Sequence, residues 1–344
     1  MPIGFSLQKN SVNGQANANH GSSRRRIYGE LRAARFLSAD WSVRMNVHDI
    51  VVIGTSAGRV TALKKIVSGL PGDFPGSIFI VIHIGIGMNG HSNLDSILQN
   101  AGRLPVRFPK DGESVDKGTI YIAPPDRHML LSEGHLHVCP GPKVNFHRPA
   151  INPLFRSAAE VYRSRKAGVI LTGMLDDGTA GLAAVKRCGG VAVVQNPASA
   201  EYNSMPLSAN RHVEVDHLVE LDDIAGLIVA LSATPRKTAE REEPLERERS
   251  ELTCPECRGP LWRETQGKVV EYTCRVGHTY SPLALASEHR ETIERTLWSA
   301  LVSLEEATQI AEKLVPEAGE EMENEAKNRR KQAATLRRML EGSD

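Results

Sequence analysis

The stretch at residues 50–58 reads IVVIGTSAG. Its first four residues are apolar and β-branched, which predicts a buried strand. A G-x-S-x-G pattern follows at once, and a helix is predicted from about Val60 to Gly69. This strand, tight turn and helix are typical of an α/β fold, and they expose the hydroxyl of Ser56 on the turn. Two other interpretations of the turn stay open: a phosphate cradle at the start of the helix, and a plain tight turn.

The phosphate interpretation lacks two features of a dinucleotide site. The turn has the spacing G-x-x-x-G, without the third glycine of G-x-G-x-x-G. The next predicted strand, residues 78–82, does not end in the acid that would bind a ribose. The sequence therefore favours Ser56 as a nucleophile over a nucleotide site.

A histidine and a pair of acids also follow predicted strands. His83 comes directly after residues 78–82, and the run GMLDDG at 173–178 follows a buried-strand pattern at 167–172. Parallel strands bring their carboxyl ends to one edge, so these side chains are expected near Ser56. A histidine can merely cap a strand, and Asp176 and Asp177 precede a helix, where acids are often N-caps. The chain order Ser, His, Asp differs from that of the α/β-hydrolases.

Apolar runs and helical patterns alternate from residue 49 to residue 231. Such alternation predicts an α/β fold with a doubly wound, mostly parallel sheet. Residues 129–138, with Gly134 at their centre, predict a small β-hairpin.

Several motifs in this region resemble one known family. They are IGTSAG at 53–58, IAPPDRH at 122–128, VNFHRP at 144–149, LTGMLDDG at 171–178, and Met205-Pro206 after Gln195-Asn196. Residues 49–231 with these motifs resemble the catalytic domain of the chemotaxis protein-glutamate methylesterases, the CheB family. Family members often carry an N-terminal receiver domain, for which residues 1–46 are too few and too polar. The resemblance is thus to a stand-alone form, and a separate response regulator would be a partner.

The resemblance implies a catalytic triad of Ser56 as nucleophile, His83 as base and Asp177 as the orienting acid. It selects Asp177 over Asp176, and it implies that the backbone N–H of Met174 donates to the oxyanion. The implied reaction is hydrolysis of glutamyl methyl esters on chemoreceptor helices, with deamidation of glutamine as a second activity. No catalytic cofactor is implied. His147 is expected to line the cleft. The elbow and the residues after His83 depart from the family pattern, which affects the shape of the cleft.

Composition excludes some classes of protein. The net charge of +1 lacks the excess of positive charge that is typical of nucleic-acid-binding proteins. The longest apolar run, residues 78–88, is too short to span a bilayer, and no secretory segment precedes residue 49, which predicts a cytoplasmic protein. Residues 1–46 hold seven Lys or Arg against two acids and predict a disordered basic tail.

Three of the five cysteines cluster with a histidine. Cys254, Cys257, Cys274 and His278 have the pattern C-x2-C-x16-C-x3-H, which predicts two knuckles around a closed, structural Zn²⁺. The alternative is four unrelated residues in a short segment. Because a charged, proline-containing linker precedes this segment, loss of the metal is expected to leave the serine site undisturbed.

The expected domains are a tail (residues 1–46), a catalytic domain (47–232), a linker (233–251), a zinc knuckle (252–281) and a helical hairpin or coiled coil (282–344). In the last segment Leu297, Leu301, Leu304 and Ala311 follow a 4-3 spacing, with Thr308 as the weak member, and Pro316 is expected to interrupt the helix. Such a narrow stripe predicts a hairpin or a seam for self-association. Two further functions stay open: a non-catalytic signalling scaffold that acts through these helices, and a nucleotide-binding regulatory module.

Overall fold

The computed structural model describes residues 48–56, 59–83, 93–233 and 244–342. The predicted tail, residues 57–58 of the turn, the glycine-rich segment after His83 and residues 234–243 of the predicted linker lie outside the described residues.

Seven strands form one sheet, in the order β3-β4-β2-β1-β7-β8-β9. All neighbouring strands run parallel, so the predicted doubly wound parallel sheet is confirmed. The strands are β1 (Ile50–Thr55), β2 (Ser77–Ile82), β3 (Val106–Arg107), β4 (Ile120–Ile122), β7 (Lys166–Ile170), β8 (Val191–Gln195) and β9 (His217–Val219). The predicted hairpin is also present, as β5 (His128–Ser132) and β6 (His135–Cys139).

Both faces of the sheet are covered by helices. Along β1, Val51 and Ile53 pack into one apolar cluster, and Ile50 and Val52 into another. The first cluster includes residues of α1 (Arg59–Gly69), α2 (Leu94–Gln99) and α6 (Ile224–Ala233). The second includes residues of α3 (Ile151–Tyr162), α4 (Thr179–Arg187) and α5 (Ser204–His212). Burial on both faces explains why the central strands are apolar throughout rather than alternating.

A second, antiparallel sheet follows, with four strands that lie side by side in chain order. We call residues 246–280 the ribbon; its strands are β10 (Glu246–Thr253), β11 (Pro260–Gln266), β12 (Val269–Cys274) and β13 (Thr279–Tyr280). The prediction of a linker up to residue 251 is therefore wrong for residues 246–251. Strand β10 is exposed on both faces, so its charged residues need no apolar partner, and Glu248 pairs with Arg263 of β11 at 2.8 Å.

Two long helices, α7 (Pro282–Ala318) and α8 (Glu320–Glu341), end the described chain. The predicted stripe lies between them, with Leu301, Thr308 and Ala311 of α7 and Ala326 and Ala333 of α8 buried. The two helices therefore pack against each other as a hairpin. The predicted interruption at Pro316 is wrong, because α7 continues to Ala318 and the chain turns at Gly319, where φ is +67°. Among the described residues, no helix has the length and apolar character needed to cross a membrane.

Candidate active site

Three strand ends bring the predicted site residues to one edge of the sheet. Thr55 and Ile82 are paired at the ends of β1 and β2, so Ser56 and His83 follow side by side. The backbone N–H of His83 donates to the Thr55 carbonyl at 3.3 Å. On the other side of β1, the N–H of Ser56 donates to the carbonyl of Thr172 at 3.1 Å. The loop that carries the two acids therefore begins next to the serine.

Asp177 is the acid that contacts His83. Its Oδ2 lies 2.8 Å from His83 Nε2, and the carboxyl group is 2% exposed. The first N–H groups of α3 point at it: Ile151 donates to Oδ2 at 2.6 Å and Asn152 to Oδ1 at 3.4 Å. The start of a helix favours an anion. Burial acts to raise the pKa of Asp177, but the hydrogen bond and charge of His83 and these donors outweigh it and lower the pKa to about 2. Asp177 is thus ionised at neutral pH.

His83 is held in a defined orientation. Its Nδ1 is buried and has no hydrogen-bond partner among the described residues, so it is the nitrogen left for the neighbouring serine. The ring of His147 stacks on the ring of His83, with centroids 3.6 Å apart and planes 10° from parallel. Burial and the charge of His83 lower the pKa of His147 to about 4. A neutral His147 ring therefore packs flat against the ring of His83.

The loop after Thr172 lies against the serine. A Cβ added to Gly173 would be 2.9 Å from the Cβ of Ser56 and 2.2 Å from the sulfur of Met205. The Gly173 N–H donates to the Tyr202 carbonyl at 2.9 Å, whereas the next N–H, of Met174, makes no hydrogen bond within the described part of the chain. The Met174 side chain is 57% exposed. The residue after the glycine that lies against Ser56 therefore has a backbone N–H without a hydrogen bond among the described residues.

Asp176 contacts Ser281 rather than His83. Its Oδ1 accepts a hydrogen bond from Ser281 Oγ at 2.6 Å. Burial raises the pKa of Asp176 to about 6, and the charge of Asp177 acts in the same direction, against the lowering effect of the Ser281 hydroxyl. The two adjacent acids therefore have different surroundings and different protonation behaviour.

Replacing Asp176 with Asn should leave turnover nearly unchanged and stabilise the protein above pH 6. The pKa of Asp176 rises from 3.8 to about 6 on folding, so its contribution to stability is present at low pH and is lost as the pH rises from about 4 through about 6. Above that range the folded state carries an unfavourable charge, which costs on the order of 3 kcal/mol. Asn removes the charge and still accepts from Ser281. Thermal unfolding should show a gain in Tm at about pH 7.5 and little at about pH 4, and an equal gain at both pH values would contradict the assignment.

Sequence reasoning missed a residue that contacts Asp177. Asn145 is 2% exposed, and its Nδ2 donates to Asp177 Oδ1 at 3.1 Å. Its Oδ1 accepts from the N–H of Ser281 at 2.7 Å. Asn145 lies in the VNFHRP motif, two residues before His147, so the motif was the only signal available in the sequence.

The ribbon lies directly against this site. Asn145 N–H donates to the Thr279 carbonyl at 2.8 Å, the rings of Phe146 and Tyr280 are 5.4 Å apart, and Arg156 of α3 pairs with Glu271 of β12. The metal segment therefore contacts the serine site, whereas the sequence predicts a segment apart from that site, beyond a linker. The polar ones among these contacts join residues more than 100 positions apart in the chain, and polar residues leave no apolar pattern in the sequence that would predict such contacts.

The four predicted metal ligands converge. Their ligand atoms lie within 4.8 Å of one another. Cys257 Sγ is 3.6 Å from Cys274 Sγ, and His278 Nδ1 is 3.7 Å from Cys254 Sγ and 3.5 Å from Cys274 Sγ. A tetrahedral zinc shell has S–S and S–N edges of about 3.8 and 3.6 Å, so the donor set fits. Glu256 lies 2.9 Å from His278 Nε2 and fixes the ring with Nδ1 towards the site.

Comparison with known proteins gives relatives of one kind. The model of the family described as CheB methylesterase matches residues 51–228, a little over half of the chain. A Leptospira interrogans protein that carries a protein-glutamate methylesterase/protein-glutamine glutaminase name is 40% identical over 185 residues, which are 54% of this chain and 95% of that protein. An Anaeromyxobacter dehalogenans protein, named protein-glutamate methylesterase/protein-glutamine glutaminase 2, is 39% identical over 51% of this chain and 51% of its own length.

A solved structure agrees with these relatives. The crystal structure of the Thermotoga maritima CheB methylesterase catalytic domain matches with a TM-score of 0.51 and 34% identity, over 53% of this chain and 98% of that one. The match to the family model, the relatives and the solved fold lead to one conclusion: the chain belongs to the CheB methylesterase family.

Proposed function

We propose that this protein is a serine esterase that hydrolyses glutamyl methyl esters on the cytoplasmic helices of chemoreceptors, and that it deamidates receptor glutamines by the same chemistry. One observation carries the proposal: His83 lies next to Ser56 with one ring nitrogen held by the buried, ionised Asp177 and the other without a partner among the described residues. The names of the relatives supply the substrate class.

In the proposed mechanism, the Oγ of Ser56 attacks the ester carbonyl while His83 Nδ1 takes its proton. Asp177 stabilises the imidazolium that forms, through Nε2. The Met174 N–H donates to the oxyanion of the tetrahedral intermediate. The C–O bond to methanol then breaks, and His83 returns the proton to the leaving oxygen. Water attacks the acyl-enzyme, again with His83 as base, and releases the glutamate side chain and the free serine.

Methanol release tests this function. The full chain should release methanol from a methylated chemoreceptor cytoplasmic fragment, and ammonia from its unmethylated glutamine form. Neither a non-catalytic scaffold nor a nucleotide-binding module would release either product. Absence of both products, with a folded protein, would overturn the proposal. A separate response regulator is the proposed partner for control, and its addition to the assay measures that control directly.

We also propose that Cys254, Cys257, Cys274 and His278 hold one Zn²⁺ as a closed structural site. Four protein ligands leave no open position for substrate, so the ion supplies folding energy rather than chemistry. Such binding supplies on the order of 10 kcal/mol to the folding of a small segment. Elemental analysis of the purified full chain should therefore find about one zinc per chain, and purified protein without zinc would contradict the site.

A further inference from the structure

A short path of contacts joins the metal ligands to the catalytic acid. His278, one of the four ligands, directly precedes β13. The Thr279 carbonyl accepts from the N–H of Asn145 at 2.8 Å, and the Ser281 N–H donates to Asn145 Oδ1 at 2.7 Å. The other end of the same amide donates to Asp177 at 3.1 Å. Asn145 is therefore held by the ribbon on one side and holds the acid on the other.

The loop that carries Asn145 depends on outside support. Asn145 and Phe146 both have positive φ, +48° and +68°, a conformation that residues with side chains rarely adopt, least of all an aromatic one. Its own bonds are a local pair between Val144 and His147, at 3.3 and 3.0 Å. The ribbon adds the contacts of Asn145 and the packing of Phe146 on Tyr280. Loss of the ribbon contacts should release this loop, and with it His147, which stacks on His83.

The acid loop has its own anchor at the end of the ribbon. Ser281 Oγ donates to Asp176 Oδ1 at 2.6 Å and also accepts from the Ala284 N–H at 3.0 Å, as the N-cap of α7. Because Asp176 is adjacent to Asp177, this bond fixes the backbone from which the catalytic acid extends. A single residue thus joins the ribbon, the long helix and the acid loop.

We propose that the ion held by Cys254, Cys257, Cys274 and His278 controls the esterase: its binding orders Thr279–Ser281, which position Asp177 and His83 through Asn145 and Asp176. The inference rests on the proposed function, because it assigns a role to the triad. Asn145 and Ser281 are positioning residues in this scheme, since neither contacts the reacting atoms. The esterase is active when the site is filled and weakly active when it is empty.

The test uses two double variants of the full chain. Cys254→Ser with Cys257→Ser removes two ligands, and Cys139→Ser with Cys188→Ser is the matched control, because those thiols lie outside the metal group. Zinc content, kcat and KM are measured with a short peptide that carries a glutamyl methyl ester. The ligand variant should lose its zinc and about 10²-fold in kcat, the scale of a small misplacement of reacting groups, with KM little changed. The control should retain zinc and kcat.

A second variant tests the path without removing the metal. Ser281→Ala should retain zinc and still lower kcat, about 10-fold, with KM unchanged. Ser281→Thr keeps the hydroxyl and should restore most of the turnover. A ligand variant that loses zinc but keeps the kcat of its control would overturn the proposal, as would Ser281→Ala with wild-type kcat. Failure of the proposed function is distinguishable, because zinc-loaded wild-type protein would then release no methanol from the ester.

Discussion

Replacing Ser56 with Ala should lower the turnover of glutamyl methyl ester about 10⁴-fold or more, and His83→Ala should cost as much. Asp177→Asn should cost nearly as much, because the amide cannot stabilise the imidazolium through Nε2, from which Asp177 lies 2.8 Å. When two of these substitutions are combined, their losses in turnover should not add, since the residues act as one unit. Methanol release under single-turnover conditions measures the chemical step.

Asp176→Asn is the matched control for Asp177→Asn. The substitution is the same, the position is adjacent and the side chain is also largely buried, but its partner is Ser281 rather than His83. Turnover should therefore stay close to wild type. If Asp176→Asn abolishes turnover and Asp177→Asn does not, the assignment of the acid is wrong.

Replacing Gly173 with Ala should lower kcat by about 10²- to 10³-fold, the scale of losing an oxyanion donor. The added Cβ would lie 2.2 Å from the Met205 sulfur and 2.9 Å from the Ser56 Cβ, so the serine or the loop must move. Either movement changes the distance between the Ser56 hydroxyl and the Met174 N–H. Steady-state kinetics with the same ester measures the loss.

Gly226→Ala on α6 is the control for this substitution. Its added Cβ meets nothing within 4 Å, so it should leave turnover unchanged and raise helix stability by up to about 1 kcal/mol. Wild-type kcat for Gly173→Ala would mean that the backbone next to Ser56 does not contribute to catalysis as proposed.

The parts of the fold that follow from apolar patterns could be predicted from the sequence. The central strands are continuous β-branched runs, because both faces of the sheet are buried. Helix α5 and strand β9 were not predicted. The first has a proline in its opening turn and a polar sequence, and the second has only three residues at the edge of the sheet. Strand β10 is charged and exposed on both faces, so its composition resembles that of a linker.

The placement of Ser56, His83 and Asp177 could be predicted for a topological reason. Each follows a strand of one parallel sheet, and such ends meet at one edge. Asn145 and Ser281 could not be found in the same way, because they lie on loops 136 residues apart that meet only after the ribbon has folded against the sheet domain. A contact between two polar loops produces no periodic pattern in the sequence from which it could be predicted.

The docking of the ribbon limits how this enzyme can be divided. A fragment that ends at Ala233 would keep the serine, the histidine and the acid, yet Asn145 would lose its donor from Ser281 and Asp176 its hydroxyl partner. If the ribbon positions the acid as proposed, such a fragment should turn over the ester more slowly than the full chain. In chimaeras with other family members, the C-terminal region and the loop at residues 143–149 should be exchanged together, because the two segments contact each other.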